Sequence, residues 1–186
     1  MVLNILLLIK KKKYKAYQKK TIDILVMFGG GLGYFKYYYN IAKYLKKLLP
    51  DKFKIFFILG GCYNKKNYLR IKNLSKKFQI LSFIKDPISL MFKSKIGIFS
   101  GGYSKYEASF AKLPSLIIPV RKHQVDIAKL FCKYGGGIYI KNIFQEKNIL
   151  KKINILLKDK KLYKKISLQT SKLIDGKASE RIINFI

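Results

Sequence analysis

The strongest constraint on this chain is a rhythm: short apolar runs end in glycine, and stretches of helical periodicity follow. Ile22 to Phe28 is an apolar run with one early charge, and it ends in Gly29-Gly30-Gly31. Such a run reads as a buried parallel strand and a tight turn. Tyr38, Ile41, Ala42, Leu45 and Leu49 then recur at helical spacing, which predicts a helix over Phe35 to Leu49, stopped by Pro50-Asp51. Phe53 to Leu59 reads as a second strand closed by Gly60-Gly61, with a helix over Lys65 to Lys77. Phe78 to Ile84 reads as a third strand, and Asp86-Pro87 opens a short helix through Phe92. Ile96 to Phe99 is a fourth, ending at Ser100-Gly101-Gly102 before a helix from Tyr103 to Lys112. Leu116 to Val120, a helix from Val125 to Tyr134, and a short strand from Gly136 to Ile140 follow. Helices fill most of the remainder.

Strands alternating with helices mean β-α-β units and a parallel sheet. The expected class is a doubly wound, Rossmann-like α/β fold. A length of 186 residues suits one domain with a short extension. The basic, low-complexity stretch from Lys10 to Lys20 sets residues 1–21 apart as a linker or strap, leaving 22–186 as the domain. Parallel sheets bind ligands outside the carboxyl ends of their strands. Three glycine clusters fall there: Gly29 to Gly31, Gly60-Gly61 and Gly101-Gly102. One cluster alone is as well explained by a tight turn; three on one edge favour a ligand.

The net charge of +31 invites a nucleic-acid reading. Only Arg70, Arg121 and Arg181 of the 40 basic residues are arginine. Base-reading sites favour arginine for its bidentate fork. The lysines spread along the whole chain, and Lys, Ile, Asn, Tyr and Phe, all with AT-rich codons, are abundant throughout. Specific nucleic-acid binding is therefore not expected. Weak attraction to polyanions, including anionic membrane surfaces, follows from charge alone. Cys62 and Cys132 have neither metal nor redox spacing and read as reduced, semi-buried small residues. One histidine, His123, excludes a multi-histidine zinc site. The apolar run Val2 to Ile9 is too short to span a bilayer and lacks the flanks of a signal peptide, so the expected location is the cytoplasm.

The stretch from Phe83 to Tyr139 carries the chemistry. Ser100-Gly101-Gly102 follows a strand and opens a helix, where bare N–H groups form an anion site and glycine lets a phosphate approach. Glu107, in the first turns of that helix, has the chemistry to accept hydrogen bonds from a ribose diol. The plainer role is a partner for the helix dipole on a solvated face. Gln124 has donors and an acceptor for sugar hydroxyls, and His123 a donor or acceptor for phosphate or hydroxyl. A loop histidine is also often no more than surface polarity.

These residues resemble the donor-binding half of two-domain GT-B enzymes of the glycosyltransferase family 28 kind, such as the bacterial N-acetylglucosaminyl transferases of peptidoglycan synthesis. The matching positions are Phe28-Gly29-Gly30, Phe83-Ile84-Lys85-Asp86, Gly101-Gly102, Glu107, Leu113-Pro114 and His123-Gln124, and Ser100 and Ser104 beside the second turn join them as candidate binding residues. Asp175-Gly176-Lys177 followed by Glu180-Arg181-Ile182 is similar to the carboxyl-terminal signature of the pseudaminic-acid nucleotide-sugar hydrolases and spore-coat polysaccharide relatives. That match tips the expectation toward a UDP-sugar hydrolase. A family 28 transferase half is the alternative, and a non-catalytic nucleotide-binding remnant a second. The resemblance implies a UDP-linked N-acylated sugar as ligand. Gly101 and Gly102 would hold the diphosphate, Glu107 the ribose and the Phe83–Ile84 backbone the uracil. Gln124 and His123 would face sugar and phosphate. It implies no metal or other cofactor, and an acceptor site or catalytic base on an amino-terminal half, separately encoded or missing. No general base is identifiable, so turnover by this chain alone is not expected. Gly31-Leu32-Gly33 departs from the more polar family segment at the first loop.

Overall fold

Strand β1 (Ile22–Met27) lies at the heart of a parallel sheet because both its faces are apolar: Ile24 and Val26 point to one side, Leu25 and Met27 to the other. In the computed structural model, residues 19–29, 31–82, 84–175 and 177–185 are described, without the side chains of Leu32 and residues 178–180. Gly30, Phe83, Gly176 and most of the expected strap at 1–21 therefore lie outside the described residues. The remaining strands are β2 (Ile55–Ile58), β3 (Phe78–Leu81), β4 (Ser94–Ser100), β5 (Ser115–Ile118) and β6 (Ile138–Tyr139). All five pairings are parallel, in the order β3-β2-β1-β4-β5-β6. This is the doubly wound order, whose crevice opens between β1 and β4, where the winding reverses.

Helices cover both faces. On the face of Ile24 and Val26 lie α1 (Phe35–Leu48), α2 (Lys65–Lys72) and α6 (Glu146–Lys158), which bury Tyr38, Ile41, Leu45, Ile71, Ile149 and Ile153. On the other lie α3 (Pro87–Lys93), α4 (Ser104–Phe110) and α5 (Val125–Lys133), with Met91, Ala108, Ala128 and Phe131. Helix α7 (Lys160–Leu173) is fastened to α4 by a buried Ser109–Thr170 hydrogen bond of 2.9 Å, and α8 (Ala178–Ile183) follows.

Every expected strand is present; the boundaries shift for identifiable reasons. The helix expected to reach Lys77 stops at Lys72. Lys77 instead buries its ammonium against the carbonyls of Lys46 and Leu49, capping the end of α1. Helix α4 ends early because Lys112 turns left-handed, φ 55°, with its N–H on Ser109 O. Cys62 is exposed rather than semi-buried, on the turn after β2. Among the described residues no helix is long and apolar enough to cross a membrane.

Candidate functional site

The first glycine loop leaves β1 at the crevice. Gly29 has φ 97°, a conformation that favours glycine. Tyr38 pins the loop from below: its hydroxyl accepts from Phe28 N at 2.8 Å and donates between the carbonyls of Ile58 (2.7 Å) and Gly29 (3.1 Å). Tyr63 donates to Gly31 O at 2.6 Å, and burial pushes its phenol up to about 12. The Tyr34 ring lies over Gly29 and Gly31, where added methyl groups would meet it at 3.5 and 3.2 Å. Arg121, arriving from the end of β5, stacks 5.0 Å from the centre of that ring and donates to its hydroxyl at 3.2 Å. The loop is thus an aromatic-braced turn with a guanidinium at its lip.

The second turn, after β4, faces a cleft of about 260 Å3 lined by Gly101, Gly102, Tyr103, Lys105, His123 and Gln124 among others. Four of the residues expected at the site therefore converge. Their roles differ in detail from expectation. Gly101 is small because α5 packs on it: a methyl there would come within 2.8 Å of Gln124 Cβ and 3.3 Å of Ala128 Cβ. Ser100 is buried, and its hydroxyl accepts from Gly102 N at 3.4 Å, closing the turn from inside. Gln124 is buried too, with Oε1 accepting from Val120 N at 3.0 Å. Its acceptor is committed to the fold, which leaves its amide N–H groups, near Gly102, for recognition. His123 is exposed on the 3-10 turn Lys122–Gln124 that leads into α5. Ser104 begins α4 half-buried and does not line the cleft.

Ile84 and Glu107 lie off the cleft, on the α3 side of the turn. Ile84 packs half-buried on the core beneath α3 and α4. Asp86 caps α3 by accepting from Ser89 N at 3.2 Å, and its charge reaches Glu107. Burial first, and Asp86 second, raise the Glu107 carboxyl above its ordinary value. Glu107 is thus neither freely solvated nor matched by an ion pair among the described residues. Asp86, at the end of the expected base-reading segment, and the expected ribose carboxylate are neighbours.

Two features fell outside sequence reasoning. Lys105 is buried beneath the second turn, donating to Gly101 O and Gly102 O; one lysine in so lysine-rich a chain carries no mark. Of the tyrosines bracing the first loop, only Tyr38 enters the sequence reading, as helix periodicity, while Tyr34 and Tyr63 carry no mark in it. Within the carboxyl-terminal signature, Asp175 pairs with Arg181 at 2.6 Å, which holds its carboxyl at about 2, and also accepts from Lys177 N. A larger hollow of about 840 Å3, lined by Leu49, Phe53, Lys95 and Leu157 among others, opens at the amino ends of the strands, away from the crevice.

The sequence pattern of the glycosyltransferase family 28 C-terminal domain matches residues 24–182. A UDP-N-acetylglucosamine--N-acetylmuramyl-(pentapeptide) pyrophosphoryl-undecaprenol N-acetylglucosamine transferase from Aquifex aeolicus is 30% identical over 145 residues, 72% of this chain and 41% of that protein. The chain thus spans less than half the length of this relative. The crystal structure of Acinetobacter baumannii MurG superposes with a TM-score of 0.71 at 17% identity, covering 95% of this chain and 52% of the other. The S. aureus MnaA–UDP co-structure gives 0.70 at 18%, covering 90% and 46%. Likeness at that identity establishes the fold, one half of a GT-B architecture. The transferase match favours the transferase alternative over the expected hydrolase. On the match across 24–182, this chain belongs to the glycosyltransferase family 28 C-terminal domain family.

Proposed function

We propose that this chain is the nucleotide-sugar-binding half of a two-domain glycosyltransferase, holding a UDP-linked N-acylated sugar for transfer from its anomeric carbon. The observation that carries this is the grouping at the β4 end of the β1/β4 crevice: the Gly101–Gly102 cleft with His123 and Gln124 on one side, Glu107 beside Ile84 and Asp86 on the other. In this reading the diphosphate lies at Gly101 and Gly102, the Gln124 amide and His123 face phosphate and sugar, Glu107 takes the ribose diol, and the backbone at Ile84 meets uracil. Helical and backbone N–H groups with basic side chains stabilise the leaving diphosphate. The Aquifex relative's name specifies UDP-N-acetylglucosamine and the S. aureus structure was solved with UDP, which supports this ligand class. Transfer is preferred to hydrolysis because the matching relative is a transferase. Acceptor and catalytic base would come from an amino-terminal half.

The test is a thermal shift with UDP, UDP-N-acetylglucosamine and ADP at moderate salt. A ligand at about 100 times its Kd adds about 2.7 kcal/mol, roughly 5–10 °C in Tm for a chain of this size. UDP and its sugar should reach that shift at lower concentration than ADP. Equal shifts from every nucleoside diphosphate would reduce the site to lysines attracting anions.

A further inference from the structure

The Gly101–Gly102 turn rests on a buried cation. Lys105 is 2% exposed, and its Nζ donates to Gly101 O at 2.7 Å and Gly102 O at 2.9 Å. The ammonium lies 4.0 Å from the centre of the Tyr106 ring and 5.7 Å from that of Phe131. Lysine is almost never so buried without a carboxylate, yet among the described residues no acidic side chain pairs with this one. Its surroundings are instead two carbonyls, two aromatic faces and the Cys132 thiol of α5, itself pushed up to about 12 by burial. The same side chain lines the cleft that His123 and Gln124 face. Helix α4, at seven residues, is too short for its terminus to hold an anion unaided.

We propose that Lys105 is the positioning residue of diphosphate recognition: it fixes the Gly101 and Gly102 peptide groups and binds the anion only while it carries its own proton. The proposal rests on the nucleotide reading above. In a trans peptide the N–H points opposite the C=O, so carbonyls drawn to Nζ fix the direction of the following N–H groups, that of Gly102, which also reaches the Ser100 hydroxyl at 3.4 Å, and that of Tyr103. The ammonium adds a positive charge in a partly dry setting, where a nearby anion is less screened than at the surface. Desolvation holds Lys105 down to about 8. A bound diphosphate favours the protonated form, so protonation and binding are linked. Lys20 is also held near 8 by burial, but it precedes β1, at the amino end of the strands, opposite the cleft.

The experiment is calorimetric titration of the protein with UDP and, separately, with inorganic pyrophosphate between pH 7 and pH 9, at constant ionic strength. One linked proton limits the change to about ten-fold per pH unit. Wild-type Kd is expected to rise about five- to ten-fold across that range for UDP, and by the same factor relative to Lys105→Met for pyrophosphate, whose own last proton leaves in this range. Lys105→Met should bind about ten-fold more weakly at pH 7 and lose the slope. Lys105→Arg keeps its charge throughout and should lose the slope while binding nearer wild type. Circular dichroism checks both folds; if the Met variant does not fold, wild type against Arg decides. A flat wild-type profile, or a slope that survives either substitution, overturns the proposal. The pyrophosphate arm keeps the two ideas apart. A Lys105-dependent slope for pyrophosphate with no preference for UDP sinks the nucleoside reading and supports the Lys105 role. Tight, pH-independent UDP binding does the reverse, and binding of neither ligand overturns both.

Discussion

Glu107 carries opposite consequences for stability and for binding. Burial raises its carboxyl above the ordinary value of 4.5, so the folded state holds the proton to higher pH than the unfolded chain. Folding therefore favours the protonated form, and the wild type loses stability as pH rises from about 4.5 through the raised value. Glu107→Ala removes that cost and keeps a good helix former. At pH 7 its melting temperature should equal or exceed wild type. A simple dipole partner would instead lose about 0.3–1 kcal/mol. Nucleotide binding should move the other way. Each charge-assisted hydrogen bond to a ribose hydroxyl is worth about 1.5–3 kcal/mol, so UDP affinity should fall about ten- to a hundred-fold while pyrophosphate is spared. Unchanged UDP affinity would remove Glu107 from the site. The sequence singles out Glu107 because acids are scarce here and it follows a glycine turn, but its burial beside Asp86 was not legible. Lys105, two residues earlier, is not singled out. Its distinction is burial, and burial depends on Tyr106 and Phe131 closing over it.

At the scale of elements, each apolar run became a strand because two helical layers bury both of its faces, and that was readable from composition within the runs. What the runs do not reveal is which glycines serve packing. Gly97 lies inside β4, between β1 and β5, and is buried. A methyl there would sit 2.2 Å from the Phe99 ring and 2.5 Å from Ser115 Oγ. Neither neighbour has room to retreat, since Phe99 is fully buried and Ser115 Oγ is held on Leu113 O at 2.8 Å. Gly97→Ala should therefore cost about 1–3 kcal/mol, as overpacking of a core does, and lower Tm by about 2–12 °C. Gly61, with nothing within 4 Å of an added methyl, is the matched control and should tolerate alanine. Equal Tm values for the two variants would mean that β4 yields more readily than its packing indicates. The third glycine cluster, Gly60-Gly61, was expected to share in ligand binding. It ends β2, beyond β1 from the cleft, and does not line it.

At the scale of the molecule, the question is whether this half performs chemistry alone. The chain spans 41% of its Aquifex relative and 52% of the Acinetobacter structure. Among the described residues near the crevice, His123 stands exposed at the rim, Tyr103 and Tyr106 line the cleft, Glu107 and Asp86 lie together off it, and Lys105 is engaged with two carbonyls. General acid–base catalysis needs a group within hydrogen-bond reach of the attacking hydroxyl or water, and in the proposed reading the acceptor and its base come from an amino-terminal half. Binding and turnover should therefore separate. The purified chain should bind UDP-N-acetylglucosamine and release no UDP above the buffer rate over hours. Release should begin only when an amino-terminal half from a family 28 transferase and its acceptor are supplied together. A coupled assay for UDP, run with and without that half, decides the point. Steady release by this chain alone, abolished by His123→Ala, would place the base on the 3-10 turn at His123 and make the cleft a complete active site.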